Sequence, residues 1–280
     1  MSAVLVSNWR RNIDYSWRLL GTAISFMGFG VGAAVGLLVV PLINLVVRDE
    51  SRRQSITRKF IHSGYARHVA LMRLVGVLTY KVSGIDKLAD NDIDIDNGCL
   101  IVANHPSLID VVFLLSTFRD ANCVVKSSFW HHPLTARTVK AANYIPNDDP
   151  VQIMEACIFH LKQRARIVLF PEGTRTLPGA NPEFGRAAAS IALRAGVPIV
   201  PVRISCTPTT LTKSEPWYRI PPRQVRFEAQ ILDVIDTRAL LTSAVNERRA
   251  SIELTEALHL LLGSGDAESR RNSENSEVSA

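Results

Sequence analysis

The hydrophobic pattern of this chain changes once, sharply. From Leu19 to Val47 no charged residue interrupts 29 positions, more than the roughly 20 apolar residues that cross a bilayer. The stretch predicts a membrane helix that Pro41 would kink or end. A re-entrant pair of helices, bent in the glycine-rich middle, is the alternative. Gly28, Gly32 and Gly36 recur every four residues, giving one smooth face for a neighbouring helix or simply the usual glycine content of a membrane helix. A cleaved secretory signal fits poorly, because its apolar part runs to about 7–15 residues.

Beyond this stretch, short apolar runs alternate with amphipathic ones. Cys99–Ala103, 122–126, Arg166–Phe170 and 197–205 read as buried strands, and 224–232 alternates as a half-buried strand does. Helices are predicted over 51–75, 107–118, 150–163, 184–194 and 247–262. The fourth of these ends at Gly196, a suitable C-terminal cap. In the 150–163 helix, Val151, Met154, Ile158 and Leu161 share one side. The segment 206–222 is polar and proline-rich, with Trp217 and Tyr218 near its end, and predicts a loop placed to cover a site or touch a bilayer. The alternation gives an α/β domain over 48–262, after a flank (1–18) and the membrane segment (19–47). The tail, 263–280, has almost nothing apolar and is expected to be disordered.

Composition adds little. The net charge of +6 comes without a nucleic-acid motif, so anionic lipid is the simpler partner and no nucleic acid is expected. Arg48, Arg52, Arg53, Arg58 and Lys59 follow the apolar stretch, against Arg10, Arg11 and Arg18 before it, which favours a cytoplasmic domain. Cys99, Cys123, Cys157 and Cys206 show neither disulfide nor zinc spacing and read as reduced core residues. His131 and His132 lack a carboxylate or cysteine partner, so no metal is assigned.

Two blocks carry chemistry. Asn104-His105-Pro106-Ser107-Leu108-Ile109-Asp110 follows the first buried strand. Pro106 suits the first position of a helix and keeps His105 out of helical geometry. With His105 in the loop and Asp110 in the first turn, the two can converge. A carboxylate on one imidazole nitrogen then leaves the other to take a proton. The spacing alone more often marks two helix-capping residues; the Asn-His-Pro context after a buried strand and the second block reverse that in favour of chemistry. That second block, Phe170-Pro171-Glu172-Gly173-Thr174-Arg175, makes a tight turn at a strand's carboxyl end, where open α/β sheets bind ligands. Arg175 offers a fork of donors for a phosphate or carboxylate, unless it forms a surface ion pair. Glu172 can accept from an acceptor's hydroxyls.

With both blocks in this order, the chain resembles the lysophospholipid acyltransferase family, whose best-known members are the lysophosphatidic acid acyltransferases. The likeness covers roughly 80–235. Residues 104–110 match the family's first motif, which implies that His105 is catalytic and Asp110 its partner. Residues 170–175 match the third, implying that Glu172, Gly173, Thr174 and Arg175 bind the acceptor. Residues 197–202 match the fourth, on the donor side. The second motif keeps its lysine, Lys126, as an expected substrate contact, but 142–149 contains no arginine and ends in Asp148 and Asp149. Arg137 and Lys140 on the preceding helix are candidates to compensate.

The resemblance implies a glycerolipid acyltransferase-like α/β domain with a mixed sheet flanked by helices. Its reaction would move an acyl chain from acyl-CoA or acyl carrier protein, as substrate and not cofactor, to a lysophospholipid hydroxyl. The expected acceptor is 1-acyl-sn-glycerol-3-phosphate, with a lyso-amino-acid lipid as an alternative suggested by the missing arginine. The expected place is a bacterial-type inner membrane. A thioester hydrolase using Ser107 or water, and a non-catalytic lipid-binding protein, are the rival readings.

Overall fold

The computed structural model describes residues 2–89, 93, 95–177, 180, 182–213, 215–244 and 246–263, with 2–11 and 243 as backbone. The tail from 264 lies outside the described residues. The helices are α1 (Ser2–Val46), α2 (Glu50–Leu74), α3 (Asp110–Thr117), α4 (Ser128–His131), α5 (Ala136–Ala141), α6 (Pro150–Lys162), α7 (Ala187–Ala195), α8 (Thr237–Ser243) and α9 (Glu247–Gly263). The strands are β1 (Leu78–Ser83), β2 (Cys99–Ala103), β3 (Ala121–Val125), β4 (Ile145–Pro146), β5 (Arg166–Leu169), β6 (Ile199–Thr207) and β7 (Val225–Ile231).

The strands form one mixed sheet in the order β1-β7-β6-β2-β5-β3-β4. From β6 to β4 the neighbours are parallel; β7 is antiparallel to β6 and β1 is parallel to β7. The carboxyl ends of β2, β3, β4, β5 and β6 therefore share one edge. Strand β2 in the middle is apolar throughout because both its faces are covered. In β2, Cys99, Ile101 and Ala103 pack with α2 and α3 on one side. Leu100 and Val102 pack with α6, α7 and α9 on the other. All four cysteines are buried free thiols.

Helix α1 reverses the usual amphipathic rule. The residues it buries toward the domain are mostly polar or small, Arg18, Gly21, Thr22, Ser25 and Gly36, with Val40 the apolar exception. Its opposite face is apolar and exposed, with Trp17, Leu20, Met27, Val31, Val35, Leu38, Leu42 and Leu45 at helical spacing. The segment Asn12–Val46 is long and apolar enough to cross a membrane, and its most apolar 18 residues have a mean hydropathy of 2.3. An apolar stripe of this length is stable only against an apolar surrounding.

Several expectations need correction. The helix α1 is continuous, so neither Pro41 nor the glycines break it; a proline in such a helix costs little when neighbours absorb it. A Cβ on Gly28 would fall 2.7 Å from Leu71, and one on Gly36 would fall 2.9 Å from Thr138, so these glycines admit α2 and α5. A Cβ on Gly32 would meet nothing, whereas one on Gly21, unremarked in the sequence pattern, would fall 3.0 Å from the Val75 carbonyl oxygen. The helix expected from Ser107 begins at Asp110, after a turn in which the Ser107 amide bonds Asp110 and the Leu108 amide bonds the Leu211 carbonyl. Val151 is 55% exposed in the first turn of α6, beside the two-residue edge strand β4, and Cys157 and Leu161 carry the buried contact. Gly263, placed in the tail by its composition, is the last residue of α9.

Candidate active site

Strand β2 ends by delivering Asn104 and His105 to the shared carboxyl edge. The Asn104 amide locks this point to β6: its nitrogen donates to the Ile204 carbonyl at 2.8 Å, and its oxygen accepts the Ile204 amide at 2.7 Å. The His105 ring stacks on Phe170, with centroids 4.0 Å apart and planes 18° apart. The ring is thus held from one side by β2's anchor and from the other by the end of β5.

The imidazole and the carboxylate converge as expected. His105 Nδ1 lies 2.8 Å from Asp110 Oδ2, and the Ser107 amide donates to the same oxygen at 2.7 Å. Asp110 is fully buried, whereas the His105 side chain keeps 17% of its exposure. Burial pushes the Asp110 carboxyl up to about 6, and the bonds from His105 and Ser107 offset only part of that rise. Oδ1 of Asp110 has no partner among the described residues. With Nδ1 occupied, Nε2 of His105 is the nitrogen left to face a reactant.

The second block is wired differently from expectation. Glu172 Oε1 accepts the His105 amide at 2.8 Å, and Oε2 accepts the Thr176 hydroxyl. The Thr176 amide in turn donates to the His105 carbonyl at 3.2 Å. Arg175, half-buried, directs Nη1 at the carbonyls of Leu211 (2.7 Å) and Thr212 (3.0 Å). Gly173 makes the turn with φ at +67° and its amide bonds the Phe170 carbonyl at 3.1 Å. Thr174 is exposed at the tip. The amides of Thr174 and Arg175 make no hydrogen bond among the described residues.

His105, Asp110, Glu172 and Arg175 therefore join one network, while Lys126 stands apart. It is exposed at the end of β3, two strands from β2, or about 10 Å sideways. Residues the motif reading missed are Thr176, Phe170 and the backbone of Thr210 to Thr212. The bonds to Thr210, Leu211 and Thr212 leave no trace in the sequence because they use carbonyls. Ser107 is fully buried with its hydroxyl donated to the Thr210 carbonyl at 2.8 Å, which removes it as a nucleophile.

An apolar cavity of about 330 Å³ opens beside this network. Leu108 and Ile109, between His105 and Asp110 in the chain, line it together with Phe29 of α1 and Met72 of α2. A second cavity of about 350 Å³ farther along α1 shares Phe29, Tyr65 and Tyr144 with the first.

Comparison with known proteins bears on this arrangement. Residues 79–205 match the family model for acyltransferases, a span that contains both blocks. Over that span the chain is similar to the acyltransferase family. The chloroplastic 1-acyl-sn-glycerol-3-phosphate acyltransferase of Brassica napus is 28% identical over 204 residues, 70% of this chain and 56% of that protein. The 1-acyl-sn-glycerol-3-phosphate acyltransferase of Pseudomonas aeruginosa is 25% identical over 51% of this chain and 56% of its own. The chain thus spans about half the length of the curated relatives it matches. The fold is that of the crystallised 1-acyl-sn-glycerophosphate acyltransferase PlsC of Thermotoga maritima, with a TM-score of 0.65 at 19% identity over 92% of this chain and 97% of that one. The α/β acyltransferase fold expected from the sequence is therefore present, with the mixed sheet and the apolar helix before it.

Proposed function

We propose that this chain moves an acyl chain from a thioester, acyl-CoA or acyl carrier protein, to the free hydroxyl of a lysophospholipid, with 1-acyl-sn-glycerol-3-phosphate as acceptor. The observation that carries the reading is the His105–Asp110 contact of 2.8 Å, with the carboxylate buried and the ring partly open. Ionised Asp110 accepts Nδ1–H, which fixes the tautomer and supports the imidazolium. Nε2 then takes the acceptor's hydroxyl proton as its oxygen attacks the thioester carbonyl. The carbon–sulfur bond breaks as the tetrahedral intermediate collapses, and the imidazolium returns the proton to the leaving thiolate. The uncommitted amides of Thr174 and Arg175 are suited to the oxyanion. The cavity beside Leu108 and Ile109 is suited to an acyl chain. Lys126 and the remaining donors of Arg175 are suited to an anionic headgroup.

The geometry of α1 supports anchoring along one leaflet. The domain packs on this helix from Arg18 to Gly36, about 27 Å of helix. That is nearly the full hydrocarbon thickness of about 30 Å, so an upright span would immerse the domain. Lying in plane, the exposed apolar stripe faces lipid and the site opens at the surface. The cytoplasmic side is proposed for the catalytic domain because thioester donors reside there.

A second acceptor reading has its own observation. Strand β4 leads into Asn147, Asp148 and Asp149 with no arginine, and Arg175 is partly committed to loop carbonyls. A lyso-lipid without a phosphomonoester, such as a lyso-amino-acid lipid, fits that charge pattern. The test is product analysis by mass spectrometry on detergent-purified protein offered both donors and a panel of lyso-lipids. Phosphatidate from lysophosphatidate supports the first reading. Product from another acceptor alone replaces it with the second.

A further inference from the structure

The loop from Pro208 to Gln224 touches the dyad at one end and the membrane helix at the other. At the near end, Thr210 accepts the Ser107 hydroxyl at 2.8 Å and Leu211 accepts the Leu108 amide at 3.2 Å. Arg175 bonds the Leu211 and Thr212 carbonyls. Glu215 closes this end, its Oε2 accepting the Thr212 amide at 3.1 Å and the Thr212 hydroxyl at 3.2 Å. These contacts set the turn whose Ser107 amide holds Asp110 Oδ2, the oxygen that also holds His105.

At the far end the loop is gripped from α1. Arg18 donates through Nη1 to the Pro221 carbonyl at 2.7 Å and through Nη2 to the Pro222 carbonyl at 2.8 Å. Its Nε meets Asp14 at 2.9 Å, and the side chain is only 4% exposed. Trp217 of the loop lies 5.6 Å from Phe26 of α1, centroid to centroid. A buried arginine next to a long uncharged stretch is costly unless its donors are satisfied. Here the guanidinium fork grips two successive carbonyls, a geometry that one ammonium group cannot reproduce. The loop is thus clasped by two arginines, one from the membrane helix and one from the block after β5.

We propose that Arg18 is a positioning residue. It fastens the 208–224 loop to the membrane helix, so that the loop's other end keeps Ser107, Asp110 and His105 in register. The geometry of the dyad then depends on the anchor. This inference rests on the acyl-transfer reading of the site.

The test compares full-length wild type with Arg18→Ala, Arg18→Lys and Trp217→Ala in detergent. Steady-state kinetics and tryptic cleavage of the loop, which offers Lys213 and Arg219, are read in parallel. The His105→Ala protein gives the background rate, so loss of the acyl-transfer reading would be seen in wild type alone, and the cleavage arm does not depend on it. Because small displacements of reacting groups are expensive, Arg18→Ala should lower kcat by about tenfold or more, with the donor KM within about twofold. Loop cleavage should be faster, and Arg18→Lys should fall between wild type and Arg18→Ala in both readouts. An unchanged kcat in folded Arg18→Ala would overturn the proposal, as would a kcat loss without faster loop cleavage. If Arg18→Ala does not fold, Trp217→Ala decides, since Trp217 is 43% exposed and outside the core. It should move both readouts the same way, and wild-type values for both would overturn the proposal.

Discussion

The two motif blocks meet at one sheet edge but do different work. His105 and Asp110 present a ring nitrogen outward, with the carboxylate buried behind it. Glu172 and Arg175, equally polar and equally suggestive in sequence, direct bonds at backbone: the His105 amide in one case, the Leu211 and Thr212 carbonyls in the other. On the acyl-transfer reading, the first pair reacts and the second frames the space in which it reacts. Removing a reacting group and removing a frame should therefore differ in size and in which kinetic constant moves.

The largest effect is expected from His105→Ala, which should lower acyl transfer by about 10²–10⁴-fold if the imidazole is the base, with the melting temperature little changed. Asp110→Asn should come next in activity and move stability the other way. The folded carboxyl titrates at about 6 against an ordinary 3.8, so the fold binds that proton more tightly than the unfolded chain does. Stability falls as pH rises from about 4 to about 6, and the penalty is fully present above that window. Asn carries no such penalty. The variant should be more stable in denaturant at pH 7.5, by at most about 3 kcal/mol, with the advantage fading toward pH 4. In wild type, activity should drop as pH falls through about 6, because protonated Asp110 no longer supports the imidazolium.

Frame variants should be milder. Arg175→Ala removes two bonds to carbonyls and should cost about 1–3 kcal/mol of stability, with kcat falling more than the acceptor KM rises. A mainly raised acceptor KM would make Arg175 chiefly a substrate contact and erase the distinction. Glu172→Gln keeps an oxygen for the His105 amide and should lose roughly two- to fivefold in rate, less than Glu172→Ala.

Much of this fold was legible because pattern and burial coincide. The run Cys99–Ala103 is a strand buried on both faces, and Gly196 caps α7 with φ at +68°. The dyad was legible too, since both its members are close in the chain. What escaped was non-local or made of backbone. Helix α3 follows a turn that is tied down by the Leu108 amide on the Leu211 carbonyl, 103 residues away, and no local signal announces that. Arg175 reads in sequence as a ligand site alone, because nothing there reveals the Leu211 and Thr212 carbonyls that also hold it. The apolar stretch gave the membrane helix, yet which side of it faces the domain emerged only from Arg18, Thr22 and Ser25 turning inward.

The most direct test of the account is thiol release from acyl-CoA or acyl carrier protein, followed with and without a lyso-lipid acceptor in wild type and His105→Ala. The account predicts release that requires the acceptor, matches ester formed mole for mole, and is lost in the variant. Release without acceptor would make the protein a thioester hydrolase. Acceptor-dependent release that survives His105→Ala would remove the base from the mechanism.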